Sequence, residues 1–151
     1  MNSKRSSAAT TVLVADDQDI LRLLMCKTLE SGGFRVLSAS NGADAFARYR
    51  DAEPPVDLLV TDYRMPGMTG LELARECCAL DSELSVLYIS GSSPGDDLRA
   101  DLADGNRAFL AKPFRQSDLL RSAKALLAPK PVTARSPENH GAQMLRFSVE
   151  R

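Results

Sequence analysis

The sequence predicts a doubly wound α/β domain on a parallel sheet, and three observations carry that prediction. Short apolar runs alternate with amphipathic helical segments five times along the chain, the pattern of βα units rather than of a bundle or a sandwich. The runs at 11–15, 56–61 and 84–89 are dominated by Val, Leu and Ile, as strands buried on both faces are. At the carboxyl ends of the runs stand Asp16-Asp17, Asp62, Ser90 and Lys112, where open α/β sheets place their ligands.

Each element has its own signal. Residues 1–10 read as a loose N-terminal tail, and the first strand runs from Thr11 to Ala15. Asp19 is a plausible N-cap for the first helix, which sets Leu21, Leu24, Met25, Thr28 and Leu29 on one apolar face. Gly32-Gly33 ends it, because glycine tolerates the left-handed conformation of a helix C-cap. Phe34 to Ser38 alternates apolar and polar residues, which predicts an edge strand at the sheet margin. A second helix spans about 42–51, the next buried strand 56–61, and a third helix 70–80. The strand at 84–89 leads to Ser90, and a fourth helix covers about 95–103. That helix offers mainly Leu98 and Leu102 among Asp96, Asp97, Arg99, Asp101 and Asp104. It should be the least firmly anchored element, which is where a switching segment belongs. Ala108 to Ala111 forms the last strand before Lys112-Pro113, and the fifth helix, 116–127, has a core stripe of Leu119, Ala123, Leu126 and Leu127.

From Pro129 the composition shifts to Pro, Lys, Ser, Asn and Gly, so the packed domain is expected to span 11–128 and residues 129–151 to form a disordered tail. Leu145, Phe147 and Val149 alternate with polar residues there, a pattern able to add to a sheet edge. The single histidine, His140, falls in this tail and is expected to be inert.

Composition narrows the function classes. A chain of 151 residues, 44% hydrophobic and 26% charged, suits one globular domain. A net charge of -1, with basic residues scattered among acids, gives no electrostatic case for nucleic acid. Cys26, Cys77 and Cys78 are odd in number and lack the spacing of a zinc site, so reduced thiols in the cytoplasm are expected. No apolar stretch reaches the roughly 18 residues of a membrane span, and the segment behind Lys4 and Arg5 ends in acids instead of a cleavage site. A tail of about 23 residues is below the approximately 40 that usually fold alone, so no DNA-binding module is expected in it.

The chemistry lies in the acids. Carboxylates 4 Å apart repel by about 4 kcal/mol per pair at an effective dielectric of 20. A hard divalent cation relieves this, and Mg²⁺ favours a few carboxylates together with water and phosphate oxygens. An isolated Asp-Asp pair would ordinarily be a helix cap or a solvated loop. The third aspartate at a matching strand end, with Ser90 and Lys112 placed likewise, favours a site. Ala15-Asp16-Asp17-Gln18 supplies neither the glycine-rich loop of a P-loop NTPase nor a dinucleotide fingerprint.

These residues resemble the receiver domain of two-component response regulators, over about 11–128. The likeness rests on Asp16-Asp17, on Asp62 within Val60-Thr61-Asp62-Tyr63-Arg64-Met65-Pro66-Gly67, on Ser90 before Gly91, and on Lys112-Pro113-Phe114, in that order and at matching spacing. The resemblance implies a flavodoxin-like sheet with strand order 2-1-3-4-5 and helices on both faces. It also implies a stand-alone, chemotaxis-regulator-like protein that receives a phosphoryl group on Asp62 from a sensor histidine kinase or histidine phosphotransfer protein. Mg²⁺ would be held by Asp17, Asp62 and the backbone carbonyl of Arg64, with Asp16 orienting a coordinated water. Lys112, the Ser90 hydroxyl and the Gly91 N–H would each meet a phosphoryl oxygen.

Phe109 occupies the family's aromatic switch position. Its ring would turn inward when phosphorylated Asp62 draws the Ser90 loop toward it; the bland reading is an edge-strand core residue. Many members of the family carry tyrosine there, which puts in doubt any output contact that needs the hydroxyl. Output would run through a downstream protein target, with a phosphorylation-dependent homodimer left open. The chain would be a signalling phosphoacceptor and no enzyme in the ordinary sense. Haloacid dehalogenases also form an aspartyl phosphate, but require a second aspartate where this chain has Arg64. The alternative is a degenerate receiver acting as a phosphorylation-independent interaction module, and the filled key positions argue against it.

Overall fold

A computed structural model describes residues 9–129; His140 and the Leu145–Val149 pattern lie outside the described residues. Five strands form one sheet: β1 (Thr11–Ala15), β2 (Arg35–Ala39), β3 (Leu58–Asp62), β4 (Ser85–Ser90) and β5 (Arg107–Ala111). Five helices connect and flank them: α1 (Asp19–Ser31), α2 (Gly42–Asp51), α3 (Gly70–Leu80), α4 (Asp96–Leu102) and α5 (Gln116–Leu127). The order is β2-β1-β3-β4-β5 and every pairing is parallel. All carboxyl ends therefore share one side, with the expected edge strand β2 at the margin.

The strand pleat divides the core in two. Val12, Val14, Leu58, Val60, Leu87 and Ile89 pack with Met25 and Leu29 of α1 and Leu119, Ala123 and Leu126 of α5. Their neighbours Leu13, Ala15, Leu59, Val86 and Tyr88 pack with Ala45 and Tyr49 of α2, Leu71, Leu73, Ala74 and Cys77 of α3, and Leu98 of α4. Since β1, β3 and β4 are buried along their whole length, both sets of side chains had to be apolar. That explains the near-continuous apolar runs.

Several details differ from the sequence reading. Gln18, not Asp19, is the N-cap of α1, and it makes no side-chain cap. Its N–H instead donates to Asp16 Oδ1 at 2.8 Å, and Asp19 pairs with Arg22 at 2.8 Å in the first turn. Leu24 is exposed, because Leu21, Met25, Thr28 and Leu29 already fill the stripe facing the sheet and Leu24 falls on its flank. Of the glycine pair, Gly33 alone adopts positive φ, at 97°. β3 and β4 also extend through Asp62 and Ser90, since Asp62 pairs in register with Ile89 and Ser90 with Ala111. Among the described residues no helix is long and apolar enough to cross a membrane.

Candidate functional site

Two strand ends, those of β1 and β3, bring the three acids together. Asp16, Asp17 and Asp62 each offer a carboxylate oxygen, and these atoms all lie within 4.8 Å of one another. Asp16 and Asp62 are buried and Asp17 is exposed, so the cluster is closed below and open to solvent on one side.

Asp16 is fixed from several directions. Its N–H donates to the Ala39 carbonyl at 3.2 Å, which carries the β1–β2 pairing one residue further. Its carbonyl accepts from Arg22 Nη1 at 2.8 Å, and its Oδ1 takes the Gln18 N–H. The other oxygen, Oδ2, is buried and meets no hydrogen-bond partner among the described residues. Burial pushes the Asp16 carboxyl above the ordinary carboxylate range; the Gln18 N–H opposes this and the neighbouring Asp62 charge adds to it. An orphaned buried carboxylate oxygen beside two other hard oxygen donors suits a magnesium ion with its water shell.

Asp62 ends β3 with its side chain opposite a cation: Lys112 Nζ is 3.0 Å from Asp62 Oδ1. Burial raises the Asp62 carboxyl, while the hydrogen bond and charge of Lys112 pull it back down and Asp17 pushes it up. Its carbonyl accepts from Thr61 Oγ1 at 2.9 Å. A Cβ on Gly70 would stand 2.3 Å from that carbonyl oxygen. The first residue of α3 must therefore lack a side chain. Thr69 and Glu72 close a capping box around the same helix start, so α3 begins firmly against the base of the site.

Ser90 is buried at the end of β4, one residue past Asp62's register partner. Its hydroxyl accepts the Ser92 N–H at 3.1 Å, and its carbonyl accepts the Lys112 N–H at 2.8 Å. That main-chain bond seats Lys112 beside Ser90 directly beyond β5. Arg64 is exposed in the loop after β3, its guanidinium 6.0 Å from the Tyr63 ring centroid. Phe109 is half-buried on β5, opposite Tyr88 in register, and packs against the cluster under α2, α3 and α4.

Sequence reasoning did not anticipate Arg22 or Gly70 as supports of the site, nor a polar network of Tyr88, Asp101 and Arg107 behind it. The Thr69-Gly70-Leu71-Glu72 stretch did carry a capping-box signal. Nothing local marks the others, whose partners sit on different elements.

Comparisons with known proteins show the family and the fold. The family model of the response regulator receiver domain matches residues 12–124. The response regulator receiver protein CpdR of Brucella abortus is 35% identical over 121 residues, spanning 77% of this chain and 95% of that protein. A C4-dicarboxylate transport transcriptional regulatory protein, DctD of Rhizobium meliloti, is 36% identical over 118 residues, which are 78% of this chain but 25% of that protein. Among solved structures, the chemotaxis protein CheY4 of Vibrio cholerae superposes with a TM-score of 0.72 at 27% identity, covering 80% of this chain and all of that one.

Proposed function

We propose that this chain, which belongs to the response regulator receiver family, accepts a phosphoryl group on Asp62 with Mg²⁺ and signals through altered protein contacts. The observation that carries the reading is the setting of Asp62: a buried carboxylate 3.0 Å from Lys112 and within 4.8 Å of two further acids. A carboxylate arranged in this way has a counter-charge on one side and a cation-binding cluster on the other.

The donor is a phosphohistidine on a sensor kinase or phosphotransfer protein. An Asp62 oxygen bonds to phosphorus as the phosphorus–nitrogen bond breaks, and the imidazole leaves with the bonding pair. Such transfer depends mainly on positioning and charge neutralisation. Asp17, Asp62 and the Arg64 carbonyl would hold Mg²⁺, with Asp16 directing its free Oδ2 at a coordinated water. The ion, when bound, supplies positive charge to the transferring oxygens. Lys112 moves its ammonium from the Asp62 carboxylate to a phosphoryl oxygen as the acyl phosphate forms. The Ser90 hydroxyl and the Gly91 N–H donate to the remaining oxygens. Exposed Ile20, Leu23 and Leu24 on α1, close to Asp17 in sequence, give a protein donor an apolar surface beside the site.

In this reading the chain acts as a stand-alone regulator, and the downstream target meets the face made by α4, β5 and α5, where Phe109 lies. The three free thiols suit the reducing cytoplasm. The test is transfer of labelled phosphate from phosphoramidate, a small phosphorus–nitrogen donor, with Mg²⁺ present. Wild type should take up label and Asp62→Asn should not. Equal labelling of both would reject Asp62 as the acceptor, and no labelling of either would favour a phosphorylation-independent interaction module.

A further inference from the structure

α4 is held to the rest of the molecule in an unusual way. It has seven residues and one fully buried apolar side chain, Leu98. Its other firm attachment is polar. Tyr88 Oη donates to Asp101 Oδ2 at 2.5 Å, and Arg107 Nε donates to the same oxygen at 2.9 Å. Arg107 is itself locked in place, with Nη1 on the Leu84 carbonyl at 3.2 Å and Nη2 on Cys78 Sγ at 3.2 Å. Tyr88 is fully buried, and the Arg107 and Asp101 side chains are only 7% and 20% exposed. One carboxylate oxygen thus ties α4 to β4 and β5, and through Arg107 to α3.

The position of this tie matters. Tyr88 lies two residues before Ser90 on β4, so both belong to the same face of the sheet. It also stands opposite Phe109 in register. The switch position carries no hydroxyl in this chain, and the phenol on this face belongs to the neighbouring strand. α4 is therefore held at two places: the 91–95 loop joins its start to Ser90, and Asp101 fastens its last turn to Tyr88. Drawing Ser90 and its loop toward a loaded Asp62 pulls on one end of α4 while the other stays bonded.

We propose that the Tyr88–Asp101 hydrogen bond is a latch that holds α4 in its resting position and opposes loading of the Asp62 site. The inference rests on the phosphoacceptor reading above. Tyr88 and Asp101 are positioning residues that act through Ser90 and α4 without touching the phosphoryl group. Coupling between two sites is reciprocal: if loading releases the latch, removing the latch must favour loading. Arg107 keeps the Asp101 carboxylate paired when the phenol leaves, so release strands no buried charge.

The test is titration of the full chain with beryllofluoride, a tetrahedral phosphoryl mimic, at fixed Mg²⁺. It compares wild type, Tyr88→Phe and Asp101→Ala, and amide hydrogen exchange is followed across 96–102. The latch predicts that both variants bind beryllofluoride about fivefold more tightly than wild type, and that loading of wild type speeds exchange in α4. A merely structural role would lower the melting temperatures and leave the affinity alone, and unchanged affinity in both variants would overturn the latch while leaving the phosphoacceptor reading intact. Wild type that takes up no beryllofluoride would overturn both.

Discussion

Lys112 meets Asp62 twice over, once by charge and once through Ser90. Its Nζ stands 3.0 Å from Asp62 Oδ1, while its N–H bonds to the carbonyl of Ser90, the residue that follows Asp62's register partner. The cation is placed by sheet pairing as well as by attraction. It sets a positive charge against an otherwise acidic pocket.

Replacing Lys112 with Ala should slow phosphoryl uptake from phosphoramidate by about a hundredfold or more, the usual scale for losing one charge-stabilising group. Lys112→Arg should recover part of the charge but not the compact fit. Initial rates of labelling measure both, and a rate in Lys112→Ala equal to wild type would contradict the assigned role.

Magnesium should raise the melting temperature by binding the folded state alone, and its effect should depend on pH. Asp16 and Asp62 have carboxyls raised in the folded protein. In an unfolded chain these groups titrate near about 3.9. The folded state therefore holds protons more tightly, so without metal their contribution is most favourable below that value and is lost as pH rises through the raised folded values. Protons and Mg²⁺ compete for the same oxygens. The Mg²⁺-induced gain should be small in acid and grow toward neutrality, as melts at fixed Mg²⁺ across pH will show.

Asp62→Asn removes one charge from the cluster. In metal-free buffer at neutral pH it should melt at or above wild type, because the ionised Asp62 is on balance disfavoured by burial. With Mg²⁺ the order should reverse, since the variant loses a ligand.

Gly70→Ala should cost about 1–3 kcal/mol, a large penalty for one methyl group, because the new Cβ would press on the Asp62 carbonyl carbon and oxygen. Backbone cannot yield as a flexible side chain can. Denaturant melts report the stability loss, and slower labelling would report displacement of Asp62.

Arg64 is exposed, two residues past Asp62 in sequence, with its guanidinium over the Tyr63 ring. If its charge and bulk govern access of water to the acyl phosphate, Arg64→Ala should change the dephosphorylation rate severalfold. Equal decay rates would reject that influence.

The parts of this protein that were legible in the sequence are those set by short-range pattern. β1, β3 and β4 are buried on both faces, so their apolar runs stand out, and the acids that end them fall on one side as soon as the strands are parallel. Strand limits were less legible: Asp62 and Ser90 look like the residues after a strand, yet cross-strand pairing with Ile89 and Ala111 draws them into the ladder. The capping of α1 was misplaced because the helix starts one residue earlier: the Gln18 carbonyl already accepts the Arg22 N–H, which leaves Asp19 inside the first turn, paired with Arg22. The Tyr88–Asp101–Arg107 network was invisible for a different reason. Its members sit on three elements, and in sequence each reads as an ordinary strand tyrosine, an acid on a polar helix and a strand-end arginine.

The most direct measurement is to locate the modified residue. After phosphorylation with phosphoramidate and Mg²⁺, borohydride reduces an aspartyl phosphate to homoserine, and peptide mass mapping finds which aspartate has changed. Conversion at Asp62 alone is the predicted result. Conversion at Asp16 or Asp17 instead, or at none of the three, would contradict the phosphoacceptor assignment.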